Sequence, residues 1–519
     1  MNHDANLVSS LMPELDTGLT DDPLVQTRCD QWMTLAQILM PPRSPDTSPH
    51  EYRVRILSEI HSIDHVLRRA RELLNDNCKA TLALPSELLD DIFYHICDVG
   101  GSVFNVTAVC RRWRAVALGS ARLWTRLNTA SLSPRLFDLA LSRAGSMPLH
   151  ISIDAFAVAP RLSLFAHAHA HRIASLCIDA REQTCDSFHA PFFKQHLPAL
   201  RELDINIRLR RAQWDPHGGW FRCLDAPDAP ELASLRLCGS AFAWDAPLYD
   251  SLKHLTLLRI EKALVPSAAD INALFERMRR LETLELDYVD MHVPPQMKIA
   301  LPPKLRELVV RNALNIDFAV AVVPRDGLHW DVSINGPVDS TAVAAFLRRN
   351  APSSAHALGL ALQPTALPCA PGMYAADLRL WTQDTPPLTS PHLRLALRTD
   401  VPAYLLDDVC LDQLLTATLG IASPTPSTAC DTGWGALFRR ALSLRTLNLR
   451  GFALERGVAC LCADDSLLPE LRRIVVEAGK EREHSLRAAR EVLSGWLWRR
   501  EQTGGMAAEV SVSEFLADD

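Results

Sequence analysis

The side chains best placed to do chemistry in this chain are His167, His169 and His171, which alternate with alanine. On an extended strand every second side chain shares a face, so three imidazoles there could hold a zinc ion. No cysteine or carboxylate stands beside them at ligand spacing, and the run reads as exposed or helical histidines. A second candidate is the pair Asp16-Thr17-Gly18 and Asp431-Thr432-Gly433, two aspartates that would share a proton in hydrolysis. That chemistry needs the carboxyls held rigidly about 3 Å apart. The first lies in a stretch without regular pattern and the second in a loop beside a helix, so the pair carries no site. The patterns G-x-x-x-x-G-K-[ST], H-E-x-x-H and G-x-S-x-G do not occur. The expectation is a chain that is not an enzyme and uses no cofactor or metal.

Composition narrows the class further. The 519 residues are 48% hydrophobic and 22% charged, as expected of a chain that is globular over most of its length. A net charge of -7 gives no electrostatic case for a nucleic-acid surface. No run approaches the roughly 18 apolar residues that a membrane span needs, and the first residues lack a positive region followed by an apolar core. The 13 cysteines are an odd number and form no C-x-x-C pair. That usage suits a reducing cytoplasm or nucleus, with thiols acting as small core residues.

The most informative elements lie between Leu84 and Leu127. Pro85 followed by Glu87 marks a helix start, and Leu88, Leu89, Ile92, Phe93 and Ile96 share one helical face. The break Asp98-Val99-Gly100-Gly101 ends that helix, and Ser102 can cap a second whose buried side would carry Val106, Val109, Cys110, Trp113 and Ala117. A third short turn ends on Leu123-Trp124. Three helices of this size bury their apolar surface poorly alone, so a partner is expected.

Three separated pieces, Leu84-Pro85-x-Glu87-Leu88-Leu89-x-x-Ile92-Phe93, Val109-Cys110-Arg111-x-Trp113 and Leu123-Trp124, resemble in order and spacing the F-box. That family is the helical module that docks on the Skp-type adaptor of cullin-RING ubiquitin ligases. The resemblance implies adaptor contacts at Leu84, Pro85, Glu87, Leu88, Ile92, Phe93, Val109, Cys110, Trp113, Leu123 and Trp124, although some of these must pack the module itself. The run Leu141 to Ser146 followed by Pro148-Leu149 resembles the junction in the large F-box family of mushroom-forming fungi.

On either side the chain divides by pattern. Residues 1–51 mix Pro, Asp, Ser and Thr without a period and are expected to be a disordered tail. Residues 52–79 carry a stripe of Ile56, Ile60, Ile63, Leu67, Ala70 and Leu74 about three heptads long. Such a helix either dimerises the protein or lies on the chain's own F-box; the second is expected, with a monomer as consequence. Residues 80–130 form the F-box. After it, Ser133-Pro134 and Gly145 bracket a helix, and the residues from Pro148 to Ile153 alternate as a strand.

From there to about residue 500 one phrase returns: apolar, two residues, apolar, one residue, apolar. It begins at Ile173, Leu200, Leu232, Leu252, Leu281, Leu305, Leu444 and Leu471. The first six starts are 27, 32, 20, 29 and 24 residues apart, close to leucine-rich repeats of about 20 to 29 residues. Between 311 and 433 the phrase weakens to alternation at Trp330/Val332/Ile334, Leu358/Leu360/Leu362, Leu378/Leu380 and Leu393/Leu395/Leu397, expected to be weaker repeats. Leu486, Ala489, Leu493 and Trp496 suggest a closing helix, and residues 501–519 a C-terminal tail. The expected fold is α+β, a small three-helix F-box followed by an irregular leucine-rich-repeat α/β solenoid. The expected function is a substrate receptor linking an unidentified target protein to a Skp-type adaptor and cullin-RING ligase. An adaptor-bound scaffold that acts without ubiquitination is the alternative.

Overall fold

The computed structural model describes scattered positions between 27 and 44 and then residues 48–76, 84–99, 101–154, 165–181, 192–193, 195–208, 223–325, 327–336, 339–352, 355, 357–364, 374–382, 391, 393–399, 409–421, 431–451, 453–478, 483–502 and 507–514. Most of the N-terminal tail, Asp16-Thr17-Gly18 and the Ser423 to Thr428 insertion lie outside the described residues. The chain divides into two compact units, Met1–Leu123 and Trp124–Asp519.

In the first unit, helix α1 spans Pro49–Asp76. It starts three residues before the expected 52 because Ser48 and Glu51 form a reciprocal cap. Glu51 N–H donates to Ser48 Oγ at 3.1 Å, and Ser48 N–H donates to Glu51 Oε2 at 3.3 Å. Pro49 fits the first helical position because its missing N–H would have no partner there. The stripe is not covered: Ile60 is 48% exposed, Ile63 41% and Leu67 48%. The expectation that α1 lies on its own F-box is therefore corrected for these residues. Helices α2 (Ser86–Asp98), α3 (Val103–Val109) and α4 (Arg111–Gly119) follow, then a 3-10 turn over Ala121–Trp124.

The second unit is built on a sheet of 16 strands among the described residues. Strand β1 (Arg126–Asn128) leads through α5 (Pro134–Arg143) to β2 (Leu149–Asp154), β3 (Ile173–Arg181) and β4 (Glu202–Arg208). A small separate pair, β5 (Cys223–Leu224) and β7 (Ala241–Phe242), flanks β6 (Ser234–Cys238) in sequence. Next come β8 (His254–Leu258), α6 (Ala268–Arg277), β9 (Thr283–Asp287), β10 (Glu307–Ala313), α7 (Asp317–Ala321), β11 (His329–Ile334) and α8 (Ser340–Asn350). The chain continues through β12 (Ala357–Pro364), β13 (Tyr374–Trp381), β14 (Leu393–Thr399), β15 (Thr416–Ile421), α9 (Asp431–Arg440), β16 (Thr446–Gly451), α10 (Ala453–Ala463), β17 (Arg473–Ala478), α11 (Glu483–Gln502) and β18 (Glu509–Glu514).

The returning apolar phrase is the buried edge of each strand. Leu255, Leu257, Leu284, Leu286, Leu308 and Val310 are all at most 3% exposed; between them Thr256 and Glu285 are half-buried, whereas Val309 is buried as well. Strands from β1 to β11 pair in parallel, so each must be followed by a crossover that returns the chain to the same end of the sheet. Helix α6 is one such crossover. Ser267 Oγ accepts Asp270 N–H at 3.2 Å, Asp270 Oδ2 accepts Ser267 N–H at 3.2 Å, and Ile271, Leu274 and Phe275 are buried.

Arginines close successive crossovers. Arg277 donates to the Ala246 carbonyl at 2.8 Å, Arg325 to Pro302 at 2.7 Å, and Arg440 to Val409 at 2.7 Å. Arg500, only 2% exposed, donates to Leu468 and Pro469, both at 2.7 Å. Each guanidinium adds a donor to a turn carbonyl, and those of Ala246, Pro302 and Leu468 also accept a backbone N–H within their own turns.

Two expectations are corrected here. The region from 311 to 433 is not a row of weaker repeats: spatial order runs β11-β14-β13-β12-β15, and β13 is antiparallel to both neighbours. The hairpin β13–β14 is wedged between strands that would otherwise be adjacent. At this seam Arg311 of β10 holds Asp331 of β11 at 3.0 Å, and Asp377 of β13 takes Arg394 of β14 at 3.2 Å and Arg379 at 2.7 Å. The residues from 501 are also not simply a tail, because β18 pairs in parallel with β17 from Arg473↔Glu509 to Ala478↔Glu514. Leu493 and Trp496 of α11 are fully buried. No helix among the described residues is long and apolar enough to cross a membrane.

Candidate functional site

The histidine run is resolved by local structure. His167 and His169 lie in a helical turn and His171 in a 3-10 turn, so the three do not line one face of a strand. His169 packs its ring 5.1 Å from Phe165, and burial, with Arg172 and His171 nearby, pushes its imidazole pKa down. Among the described residues no cluster of three histidine, cysteine or acidic side chains could hold a metal. Asp431-Thr432-Gly433 forms the first turn of α9 rather than the loop that the sequence suggested.

Between Leu84 and Leu123 a surface is built instead. The expected single second helix is two helices, because Cys110 is extended at φ -152°, ψ 171°. Ser102 caps α3 by accepting Phe104 N–H at 3.3 Å, and Cys110 Sγ accepts Trp113 N–H at 3.5 Å to start α4. The break turns Val109 outward, to 46% exposure, where one continuous helix would have buried it with Val106.

Helix α2 is divided in the same way. Leu89 is 1% exposed and Phe93 0%, with the Phe93 ring 4.9 Å from the half-buried Trp113 ring, so these residues hold the three helices together. Leu88, Ile92 and Ile96, at four-residue steps, are 48, 41 and 36% exposed, and Val99 is 85% exposed. Pro85 and Glu87 are exposed, Leu84 and Cys110 half-buried. Leu123 is 3% exposed, and Trp124, the first residue of the second unit, is 2% exposed under the Arg143 guanidinium at 5.5 Å from the ring centroid. Of the eleven expected contacts, Phe93, Leu123 and Trp124 are thus core, while Pro85, Glu87, Leu88, Ile92 and Val109 are at the surface.

Two pins that the apolar pattern did not mark fix this geometry. Arg122 donates through Nε to Asp90 Oδ2 at 2.8 Å and also pairs with Asp91; its guanidinium lies 5.1 Å over the Tyr94 ring. The hydrogen bond that Arg122 donates to Asp91, outweighing burial, raises the Arg122 pKa further, with Asp90 adding to it. Arg112 donates to the Leu84 carbonyl and holds the segment leading into α2. A ridge of uncovered apolar side chains on a pinned scaffold costs solvation free energy unless a partner covers it. No curated protein matches the chain. The model of the F-box-like family matches residues 81–130, and the chain carries an F-box-like domain there.

Proposed function

We propose that this protein is a substrate receptor: its F-box-like domain binds a Skp-type adaptor and through it a cullin-RING ubiquitin ligase, while the second unit holds a target protein. The observation that carries the reading is the ridge Leu88, Ile92, Ile96, exposed on a helix whose other face is packed by Leu89 and Phe93. On this reading the large sheet is an irregular leucine-rich-repeat solenoid, a reading supported by strands at 20 to 32 residue intervals whose leucines are buried. The protein supplies proximity rather than chemistry, turning an encounter between conjugating enzyme and target into a reaction within one assembly. It would act in the cytoplasm or nucleus, and its sequence resembles the large F-box family of mushroom-forming fungi.

The test is co-purification of the full chain with its adaptor and cullin. Capture of both supports a ligase receptor. Capture of adaptor without cullin indicates a scaffold, and loss of neither on Leu88→Ala with Ile92→Ala would sink the assignment of the ridge.

A further inference from the structure

Four neighbouring strands end in the same way but not with the same residues. Cys238, Leu258, Asp287 and Arg311 are paired in register, the first three at the ends of β6, β8 and β9 and the last at the register shift near the end of β10. The residue after each is left-handed: Gly239 at φ 68°, Arg259 at 50°, Tyr288 at 52° and Asn312 at 55°. This turn lets one more N–H join the ladder. Gly239 donates to Leu258 O at 3.0 Å, Arg259 to Asp287 O at 2.8 Å, and Tyr288 to Arg311 O at 3.0 Å. Glycine and asparagine accept left-handed backbone at low cost, whereas a large side chain brings its Cβ against the following carbonyl. The first and last positions of the row therefore hold the expected residues, and the two between them do not.

Those two side chains do not repay the strain by packing. Tyr288 is 49% exposed and Arg259 is exposed, with its guanidinium 5.7 Å from the Tyr288 ring centroid. Arg259 makes no side-chain hydrogen bond or ion pair among the described residues. The nearby acids are engaged: Asp287 accepts the Asn312 amide at 2.7 Å, and Asp290 accepts Leu314 N–H at 2.8 Å. That last bond holds Leu314, 58% exposed, beside the same rim. Among the described residues the rim thus offers a cation, Arg259, with no carboxylate in hydrogen-bond or ion-pair contact, backed by an aromatic face and an aliphatic side chain. Strain kept where the side chains are exposed is a mark of function rather than of folding.

We infer that Arg259 and Tyr288 form the anchor for the target, and that they take a peptide segment carrying a carboxylate side chain next to an aromatic or large aliphatic one. The carboxylate pairs with the fork of Arg259, a charge-assisted contact, and the apolar side chain lies on Tyr288 and Leu314. Arginine and tyrosine are also the residue types in which interface binding energy concentrates. This deepens the receptor reading and rests on it for the identification of the peptide with a target.

The probe is a phage-displayed library of random 12-residue peptides selected against the full chain bound to its adaptor, with Arg259→Asn and Tyr288→Asn as variants that copy Asn312 of β10. Selected peptides should pair an acidic residue with an aromatic or aliphatic neighbour and lose at least about tenfold in affinity for either variant. Both variants should melt at or above the wild-type temperature, because strain is relieved. A drop in melting temperature would mean that the side chains serve packing and would overturn the inference. So would selected peptides without an acid, selected peptides indifferent to both variants, or no enrichment. A phosphopeptide or an oligonucleotide bound in preference to carboxylate peptides would overturn the stated chemistry. Leu88→Ala with Ile92→Ala should weaken adaptor capture and leave peptide binding to the chain intact, so failure of the F-box reading is distinguishable from failure of this one.

Discussion

Phe93 of α2 and Trp113 of α4 lie with ring centroids 4.9 Å apart, tilted at 53°, and so belong to the inside of the F-box-like domain. Phe93→Ala should remove a fully buried ring from the centre of the unit and cost about 3–5 kcal/mol. Adaptor capture should fall with it, in proportion to the unfolded fraction, as circular dichroism of the same preparation would reveal. A Phe93→Ala protein that melts like wild type would show the packing to be wrong.

The ridge should behave in the opposite way. Leu88 and Ile92 are 48 and 41% exposed, so replacing both by alanine should leave stability within about ±0.5 kcal/mol per site and lower adaptor affinity by more than about 1 kcal/mol in total. Isothermal titration with purified adaptor separates this from the core variant. Equal loss of stability in both would collapse the division of the eleven residues into core and surface.

In the sheet, Leu284→Asp places a carboxylate where the native side chain is 1% exposed. The cost is expected at about 3–5 kcal/mol. Glu285, one residue on, points to the other face and pairs with Arg311 at 3.1 Å. Both partners are partly exposed, so Glu285→Gln should cost no more than about 1 kcal/mol. Thermal melts of the two variants check the strand register directly.

Much of this arrangement is legible in the residues. Leu255-x-Leu257 and Leu284-x-Leu286 announce strands, because a period of two with one buried face has few other solutions. Strand direction is not legible: Leu358, Leu360, Leu378 and Leu380 alternate alike, whether β12 and β13 run parallel or opposed. The seam is also written in pairs distant in sequence, such as Arg394 with Asp331, which no local pattern contains. Cys110 hid the helix break because neither of its neighbours is a glycine or proline. Recurrent arginines at the ends of α6, α9 and α11 were visible, but their carbonyl partners became meaningful only with the turns in place.

The seam predicts a pH dependence. Burial pushes the Asp377 carboxyl pKa up, but hydrogen bonds from Arg379 and Arg394, with their charges, outweigh it and hold it below the ordinary range. The unfolded chain then takes up its proton first, near the ordinary aspartate value of about 3.9. Stability from this group is present above that value and lost as pH falls through it toward the lower folded value. The difference in urea midpoint between wild type and Asp377→Asn should therefore be largest near neutral pH and shrink progressively as pH falls below about 3.9. A gap that is constant with pH would mean that the carboxylate is not held as described.

The cysteines give the last test, because burial is the largest influence on the thiols of Cys177 and Cys238. Cys177 lies beside Asp204 in the register of β3 and β4, and burial, then Asp204, raises its thiol pKa despite a hydrogen bond from Ser152. Burial raises Cys238 as well, against the opposing charges of Arg259 and Arg236. The thiolate is the reactive form, so both should be alkylated slowly at pH 7.5. Cys410 is exposed and has no such cover. Timed iodoacetamide labelling read by mass spectrometry should modify Cys410 while Cys177 and Cys238 remain largely free. Labelling of Cys177 at the rate of Cys410 would show that this part of β3 opens to solvent, and would remove the case for treating its neighbours Leu176 and Ile178, both 0% exposed, as settled core.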